Sequence, residues 1–403
     1  MRYINKKLNI ERVSVESVSK NYGTPSYCYS YNQLKDNITS FKKNFRSFSP
    51  LICFSIKSNN NIELIREIKK FGLGADVVSI GELMLALKAG INPKKIVFSG
   101  VGKTSKEIEY AIQKKILLIN AESQSEIVEI DRIARLKNKK INVGIRLNPN
   151  TDPKTLSQIS TGRKENKFGV NERTFSKLVA YCKTSKNIEL KCLSVHIGSQ
   201  ILDYKPYEKM LKVINKFIKK INYKFEFVDL GGGMGISYQK NDKKLNYKKY
   251  NNLIKKFLLN NKTKIIFEPG RSIIGNTGML LSKVIYIKKG DKKSFVIIDA
   301  AMNDFMRPAL YGAKHAIYPS IKNNNFRETY EFVGPICEST DKFLTIKNFP
   351  QLKEKDVIII SDVGAYGMSL SSNYNIRPKS IELLIKGSKI KVIKKRQTYK
   401  DLI

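Results

Sequence analysis

Eight short apolar runs, spaced along residues 51–270 and separated by stretches of helical periodicity, constrain this chain more than any other feature. They are LICFSI (51–56), LGADVVS (73–79), KIVFSG (95–100), ILLIN (116–120), NVGIRLN (142–148), KCLSVHIG (191–198), FEFVDLGGG (225–233) and KIIFEPG (264–270). The stretches between them, such as NIELIREIKKFG, GELMLALKAG and SKEIEYAIQKK, repeat apolar residues three and four apart and often end in glycine, as amphipathic helices do. Strand and helix in alternation build a parallel sheet. Eight such strands point to an α/β fold, a closed (β/α)8 barrel of the TIM type, with an open doubly wound sheet as the alternative.

After about residue 280 the texture changes. GMLLSKVIYIKKGDKKSFVIIDA, YEFVGPICESTDKFLTI and KEKDVIIISDVGAYG are strand-like runs joined by turn residues, so a mostly β second domain, sandwich- or barrel-like, is expected to follow the barrel. The division reads as 25–280 for the barrel and 1–24 with 281–403 for the β domain, the first 24 or so residues adding a strand to it. A length of 403 residues agrees with two domains, one core rarely growing past about 250 residues.

A hydrophobic content of 41% suits a soluble globular protein. The net charge of +39 first suggests nucleic acid. Yet the lysines are spread over nearly every helical stretch, as in DKKLNYKKYNNLIKK, with no basic block and no zinc-finger or RNP-like pattern. Compositional drift of solvated positions explains this better, and no nucleic-acid partner is expected. No apolar run approaches the roughly 18 residues of a membrane helix, and no apolar h-region follows the N-terminal basic residues. The five cysteines, Cys28, Cys53, Cys182, Cys192 and Cys337, form no CxxC pair, which argues against a disulfide framework or a cysteine metal site. A cytoplasmic protein without membrane partner or metal is expected.

In a barrel of this kind, chemistry gathers at the C-terminal ends of the strands. Read in order, those ends carry Lys57, Asp76 with Ser79, Gly100, Asn120, Arg146 with Asn148, His196 with Ser199, the glycines 231–233, and Glu268 with Arg271. Phosphate sites in barrels are frequently built after strands seven and eight, where DLGGGMG and EPGRS stand and backbone N–H groups can cradle an anion. An amine at the first strand end, partly desolvated and ringed by cations, should have a lowered pKa and attack an aldehyde readily. Lys57 with a phosphate cradle opposite makes pyridoxal 5'-phosphate the economical cofactor. A Schiff-base lysine in aldolase-type chemistry competes.

Taken together, TPSYCYSYNQL, FSIKSN, GADVVSIGEL, FSGVGKT, HIGSQ, VDLGGGMGISY, FEPGRSI, MRPALYGAKH, GPICESTD and GAYGMSLSSNYNIRP give the chain a resemblance to the barrel-type (fold type III) pyridoxal-phosphate decarboxylases, in this order and over nearly its whole length. The resemblance implies that Lys57 holds the cofactor, Glu268 keeps its ring nitrogen protonated and His196 stacks on its face. It implies that Ser199, Gly232, Gly233, Gly270 and Arg271 hold the phosphate with help from Tyr366, and that Asp76 and Arg146 orient the cofactor or close the barrel rim. Arg271, Arg307, Tyr311, Glu338 and Tyr366 are implied as the substrate set, two arginines and a tyrosine suiting a carboxylate and Glu338 a distal ammonium. Cys337 is implied as the group that returns a proton, reaching the site across a homodimer interface.

The activity so implied is decarboxylation of meso-2,6-diaminopimelate to L-lysine and carbon dioxide, the last step of lysine biosynthesis. A same-fold decarboxylase of ornithine, arginine or a carboxylated polyamine is the alternative, followed by an amino-acid racemase and a non-enzymatic relative. Ser58 stands where alanine is common in the family, and Asn59–Asn61 is unusually rich in asparagine, which puts only local geometry in question.

Overall fold

The computed structural model describes residues 1–239, 241–323 and 326–403. They fall into two compact units, Ile38–Ile236 with Lys243–Ile273, and Met1–Asn37 with Ser237–Asp242 and Ile274–Ile403.

In the first unit every apolar run overlaps a strand: β1 (Leu51–Ser55), β2 (Gly74–Val77), β3 (Ile96–Phe98), β4 (Leu118–Ala121), β5 (Ile141–Arg146), β6 (Ile188–Ser194), β7 (Phe227–Asp229) and β8 (Lys264–Phe267), with β4, β5 and β6 reaching one to three residues beyond their runs. They form a closed barrel, with β8 returning to β1 in parallel, Ile266 beside Leu51 and Phe267 beside Ile52. The fold expected from the alternating pattern is the one observed. Helices Ile62–Lys70, Ile80–Lys88, Ser105–Gln113, Gln124–Leu136, Glu172–Thr184, Lys205–Ile221 and Tyr247–Asn260 connect the strands in turn.

Most of these helices start on a polar side chain that accepts a first-turn N–H: Asn61, Ser79, Thr104, Ser123, Asn171 and Asn246. Such caps satisfy donors that a helix leaves open. Ser79, read from the sequence as a strand-end site candidate, is one of them, its Oγ accepting from Glu82 N–H at 3.2 Å.

The interior is layered by the two-residue period of a strand. Cys53, Val97, Leu118, Cys192, Phe227 and Ile266 pack as one buried apolar cluster. Two residues further along each strand stand Ser55, Ser99, Asn120, Ser194, Asp229 and Glu268, all buried and all polar. Asp76 and Arg146 occupy the same level, two residues beyond Gly74 and Gly144. An apolar plug therefore carries a polar floor, and a further step of two brings Lys57, Glu122, His196 and Gly231 above it.

The second unit is mostly β. Its long strand Gly278–Lys288 pairs antiparallel with Ser294–Ile298, Val357–Ile360 and Ser26–Ser30, and Ser26–Ser30 pairs in parallel with Ile381–Lys386. Strands Arg2–Ile4, Lys7–Ile10 and Val13–Ser14 make a small separate sheet. The unit divisions fall at 37/38, 236/237, 242/243 and 273/274. Both partners of Ser26–Ser30 lie more than 200 residues downstream, Cys28 facing Met279 on one side and Leu383 on the other. No helix among the described residues is long and apolar enough to cross a membrane.

The layering leaves no space where small residues stand. A Cβ on Gly144 would lie 1.9 Å from Asn120 Oδ1 and 3.1 Å from Cys192 Cβ, so Gly144→Ala is expected to lower stability in urea unfolding by about 1–3 kcal/mol, the usual cost of overpacking. An unchanged midpoint would mean that the polar floor can shift freely.

Candidate active site

Three carboxyl groups meet in the polar floor. Asp229 accepts from Asn120 Nδ2 at 3.2 Å, from Gly231 N–H at 2.9 Å and from Ser194 Oγ at 3.4 Å. Glu268 accepts from Ser99 Oγ at 3.3 Å and shares a hydrogen bond with Asp229. Burial raises the Glu268 carboxyl well above the usual range; Asp229 and Asp76 add to the effect, and Lys57 opposes it. Burial likewise pushes Asp229 up to about 6. The shared hydrogen bond raises Glu268 and lowers Asp229, so the proton sits on Glu268, which donates. Two anions cannot coexist at such a spacing without water.

Asp76 is fully buried at the end of β2, and its Oδ2 accepts from Ser55 Oγ at 2.7 Å and from Lys57 Nζ at 2.8 Å. Lys57 lies in a 3-10 turn, Ile56–Ser58, that ends β1. The ring of cations expected around its amine is corrected here: the amine forms an ion pair with the Asp76 carboxylate at 2.8 Å, because the floor beneath it is built of strand-end acids. Ser58, the departure noted in the sequence, is buried and donates from Oγ to Ser55 O at 2.7 Å. It faces Gly270, where a Cβ would stand 2.9 Å from it.

His196, two residues beyond Ser194, accepts at Nδ1 from Gly232 N–H at 3.2 Å. Burial, reinforced by Arg146 and Lys57, holds the imidazole well below its ordinary pKa. It is neutral, with its proton on Nε2. The loop after β7 passes close beneath it, and Gly231 and Gly233 take left-handed backbone angles of +64° and +87° that suit glycine. A Cβ on Gly231 would stand 2.6 Å from His196 Nδ1, and one on Gly232 2.2 Å from Glu268 O. Arg271 is buried and donates from Nη2 to Ser199 Oγ at 3.1 Å. Arg146 donates from Nη1 to Glu122 at 3.0 Å and from Nη2 to His196 O at 3.3 Å.

The barrel unit thus brings Lys57, Asp76, Arg146, His196, Ser199, Gly232, Gly233, Glu268, Gly270 and Arg271 to one end. The other site candidates lie in the β unit. Arg307 opens the short helix Arg307–Tyr311, donates from Nη1 to Tyr238 OH at 3.0 Å and stacks 5.1 Å from that ring. Glu338 accepts from Tyr374 OH and, at 3.1 Å, from Thr340 Oγ1. Cys337 beside it is exposed, whereas Cys28, Cys53, Cys182 and Cys192 are buried. Tyr366 holds a left-handed backbone angle of +58°, a conformation that structures keep only under constraint. Asp229, Glu122, Ser55 and Ser99 were missed in the sequence, although each follows a buried strand residue by two or four positions.

These groups suit a flat, basic heteroaromatic ring. The neutral Glu268 can share its proton with a ring nitrogen and gain an ion pair in a layer where it does not ionise alone. Asp76 Oδ1 is buried without a hydrogen-bond partner among the described residues, an acceptor left open in the floor. The glycine loop and the Ser199–Arg271 pair bring backbone and side-chain donors for an anion.

Residues 31–275 match the family described as pyridoxal-dependent decarboxylase, pyridoxal binding domain. The chain belongs to the pyridoxal-dependent decarboxylases, and pyridoxal 5'-phosphate is its cofactor. Within that class it is similar to diaminopimelate decarboxylases. It is 39% identical to that of Aquifex aeolicus over 100% of this chain and 96% of the relative, and 44% identical to that of Helicobacter pylori strain J99 over 96% of each. The crystal structure of the Helicobacter pylori enzyme complexed with L-lysine superposes with a TM-score of 0.92 at 42% identity, covering 96% of this chain and 98% of that one.

The carboxyl pair has a pH signature. Asp229 is raised on folding to about 6 from an unfolded value of about 4, so its contribution to stability is full below about pH 4 and is lost as pH rises through about 6. In protein stripped of cofactor, Asp229→Asn removes this titration, and the fall in stability between those pH values should shrink. Denaturant unfolding across that range checks it, and a slope identical to the parent protein's would contradict the assignment.

Proposed function

We propose that this protein is the carboxy-lyase that converts meso-2,6-diaminopimelate to L-lysine and carbon dioxide. What carries the reading is likeness at full length to enzymes named for that substrate, one of them crystallised with lysine. The donor set at the barrel end supports the cofactor that the reaction needs.

In this reading Lys57 holds the cofactor's aldehyde carbon, Glu268 its ring nitrogen, His196 its ring face, and Ser199, Gly232, Gly233, Gly270 and Arg271 its phosphate, with Tyr366 assisting. Held there, pyridoxal 5'-phosphate would supply an electron sink for the pair left on the α-carbon when carbon dioxide departs. Asp76 keeps the Lys57 ammonium in one place, at 2.8 Å, whenever that amine is not engaged. The neutral His196 presents a flat face without adding a second positive charge.

Arg271, Arg307 and Tyr311 bind the distal carboxylate, and Glu338 its neighbouring ammonium, so that a substrate with an amino-acid group at each end is selected over ornithine or arginine. Cys337 returns a proton to the decarboxylated carbon. Its exposure suits a thiol that serves a partner's cofactor, and a homodimer follows. The division of labour is then a barrel that holds cofactor and a β unit that supplies substrate and interface residues. A small polar amino-acid substrate supports a cytoplasmic setting.

The test is to incubate the protein, loaded with pyridoxal 5'-phosphate, on meso-diaminopimelate, ornithine and arginine separately, following carbon dioxide and the amine product. Lysine from diaminopimelate alone is expected, abolished by Lys57→Ala and reduced at least about a hundredfold by Cys337→Ala, the order of loss for a general acid. Carbon dioxide from ornithine or arginine at a comparable rate would overturn the substrate assignment.

A further inference from the structure

Glu122 stands at the end of β4, two residues beyond Asn120, with its side chain 1% exposed. Its Oε1 accepts from Arg146 Nη1 and from Gly100 N–H, each at 3.0 Å, and its Oε2 accepts from Gly169 N–H at 3.1 Å. Its own N–H donates to Glu126 Oε2 at 2.8 Å. The other Glu126 oxygen takes the ammonium of Lys103 at 2.6 Å, and that buried lysine also donates to Gly100 O and Asn120 O. One carboxylate thus ties together the loops that follow β3, β4 and β5.

The tie leads to His196. The Arg146 guanidinium lies on the Phe168 ring at 4.8 Å and donates to the His196 carbonyl, which also accepts from Thr161 Oγ1 at 2.9 Å. The imidazole is fixed at its other end by Gly232 N–H. A buried guanidinium stays in one geometry only while its anion is present. Without Glu122 it would turn toward the other carboxylates of the floor and release the His196 backbone.

We propose that Glu122 is a positioning residue for the reaction: by fixing Arg146 between Phe168 and the His196 carbonyl, it sets where the imidazole lies against the cofactor ring. The inference rests on the cofactor-binding reading above. It also gives Arg146 a task distinct from touching the cofactor.

A brace for the barrel rim alone would make the same hydrogen bonds, so the test asks whether Glu122 acts through His196. Wild type, Glu122→Gln, His196→Ala and the double variant are compared as holoenzymes, with kcat and KM on meso-diaminopimelate and the visible circular dichroism of the bound cofactor. Glu122→Gln is expected to lower kcat between about ten- and a hundredfold, the scale of a small misplacement, with KM changed less than about threefold. On the His196→Ala background the same change should cost less than about twofold, since groups acting as one unit are not additive. The dichroic band should weaken to the same level in all three variants.

Losses that multiply in the double variant, or a band weakened only by His196→Ala, would overturn the proposal. If Glu122→Gln does not fold, Phe168→Leu enters the same cycle; it keeps both charges, and its loss of kcat should again vanish on the His196→Ala background. A wild type that binds no cofactor would refute the functional reading and this inference with it. An active wild type with multiplying losses refutes this inference alone.

Discussion

The site depends on one geometric constraint, the two-residue period of a strand in a closed parallel barrel. Once β8 pairs with β1, every second side chain points to a common interior. The lower set is filled by Cys53, Val97, Leu118, Cys192, Phe227 and Ile266, which exclude water. The next set can then be polar only if its members satisfy one another. The hydrogen bonds from Ser55 to Asp76, from Asn120 to Ser99 and Asp229, and from Ser99 to Glu268 are that mutual satisfaction.

The same exclusion of water sets the chemistry. Acids gathered on a dry floor resist ionising together, so Glu268 keeps a proton, while Asp76 is paired with Lys57; burial beside the Arg146 and Lys57 cations keeps His196 neutral. Perturbed groups of this kind cluster where function is. A ring nitrogen that is protonated, an amine held at a fixed place and a flat neutral imidazole are what a carbanion-stabilising cofactor needs from its surroundings. Binding of that cofactor relieves a mismatch that folding itself creates.

Much of this is legible in the sequence, because parallel strands announce themselves as apolar runs and their ends as polar interruptions. Each of the eight runs overlaps a barrel strand, and Lys57, Asp76, His196 and Glu268 are found at one end of the barrel. Less local facts are not legible. Ser26–Ser30 gains its place from strands near residues 280 and 383, and nothing in its own sequence names them. Asp229 is overshadowed by the glycines beside it, and Glu122 reads as an ordinary helix-start acid until Arg146 and Gly169 fold onto it. The surroundings of Lys57 are illegible for the same reason: a strand end shows which residue stands there, but not which neighbours the closed barrel brings to it.

The central claim is that the polar floor makes Lys57 the residue that carries the cofactor. The direct measurement is to load the protein with pyridoxal 5'-phosphate, reduce with borohydride to fix any cofactor held on a lysine, and map the added mass by peptide mass spectrometry. The account predicts one modified peptide, the one containing Lys57, and no such modification in a Lys57→Arg variant that still folds. Label distributed over other lysines, or on Lys103 in place of Lys57, would contradict it.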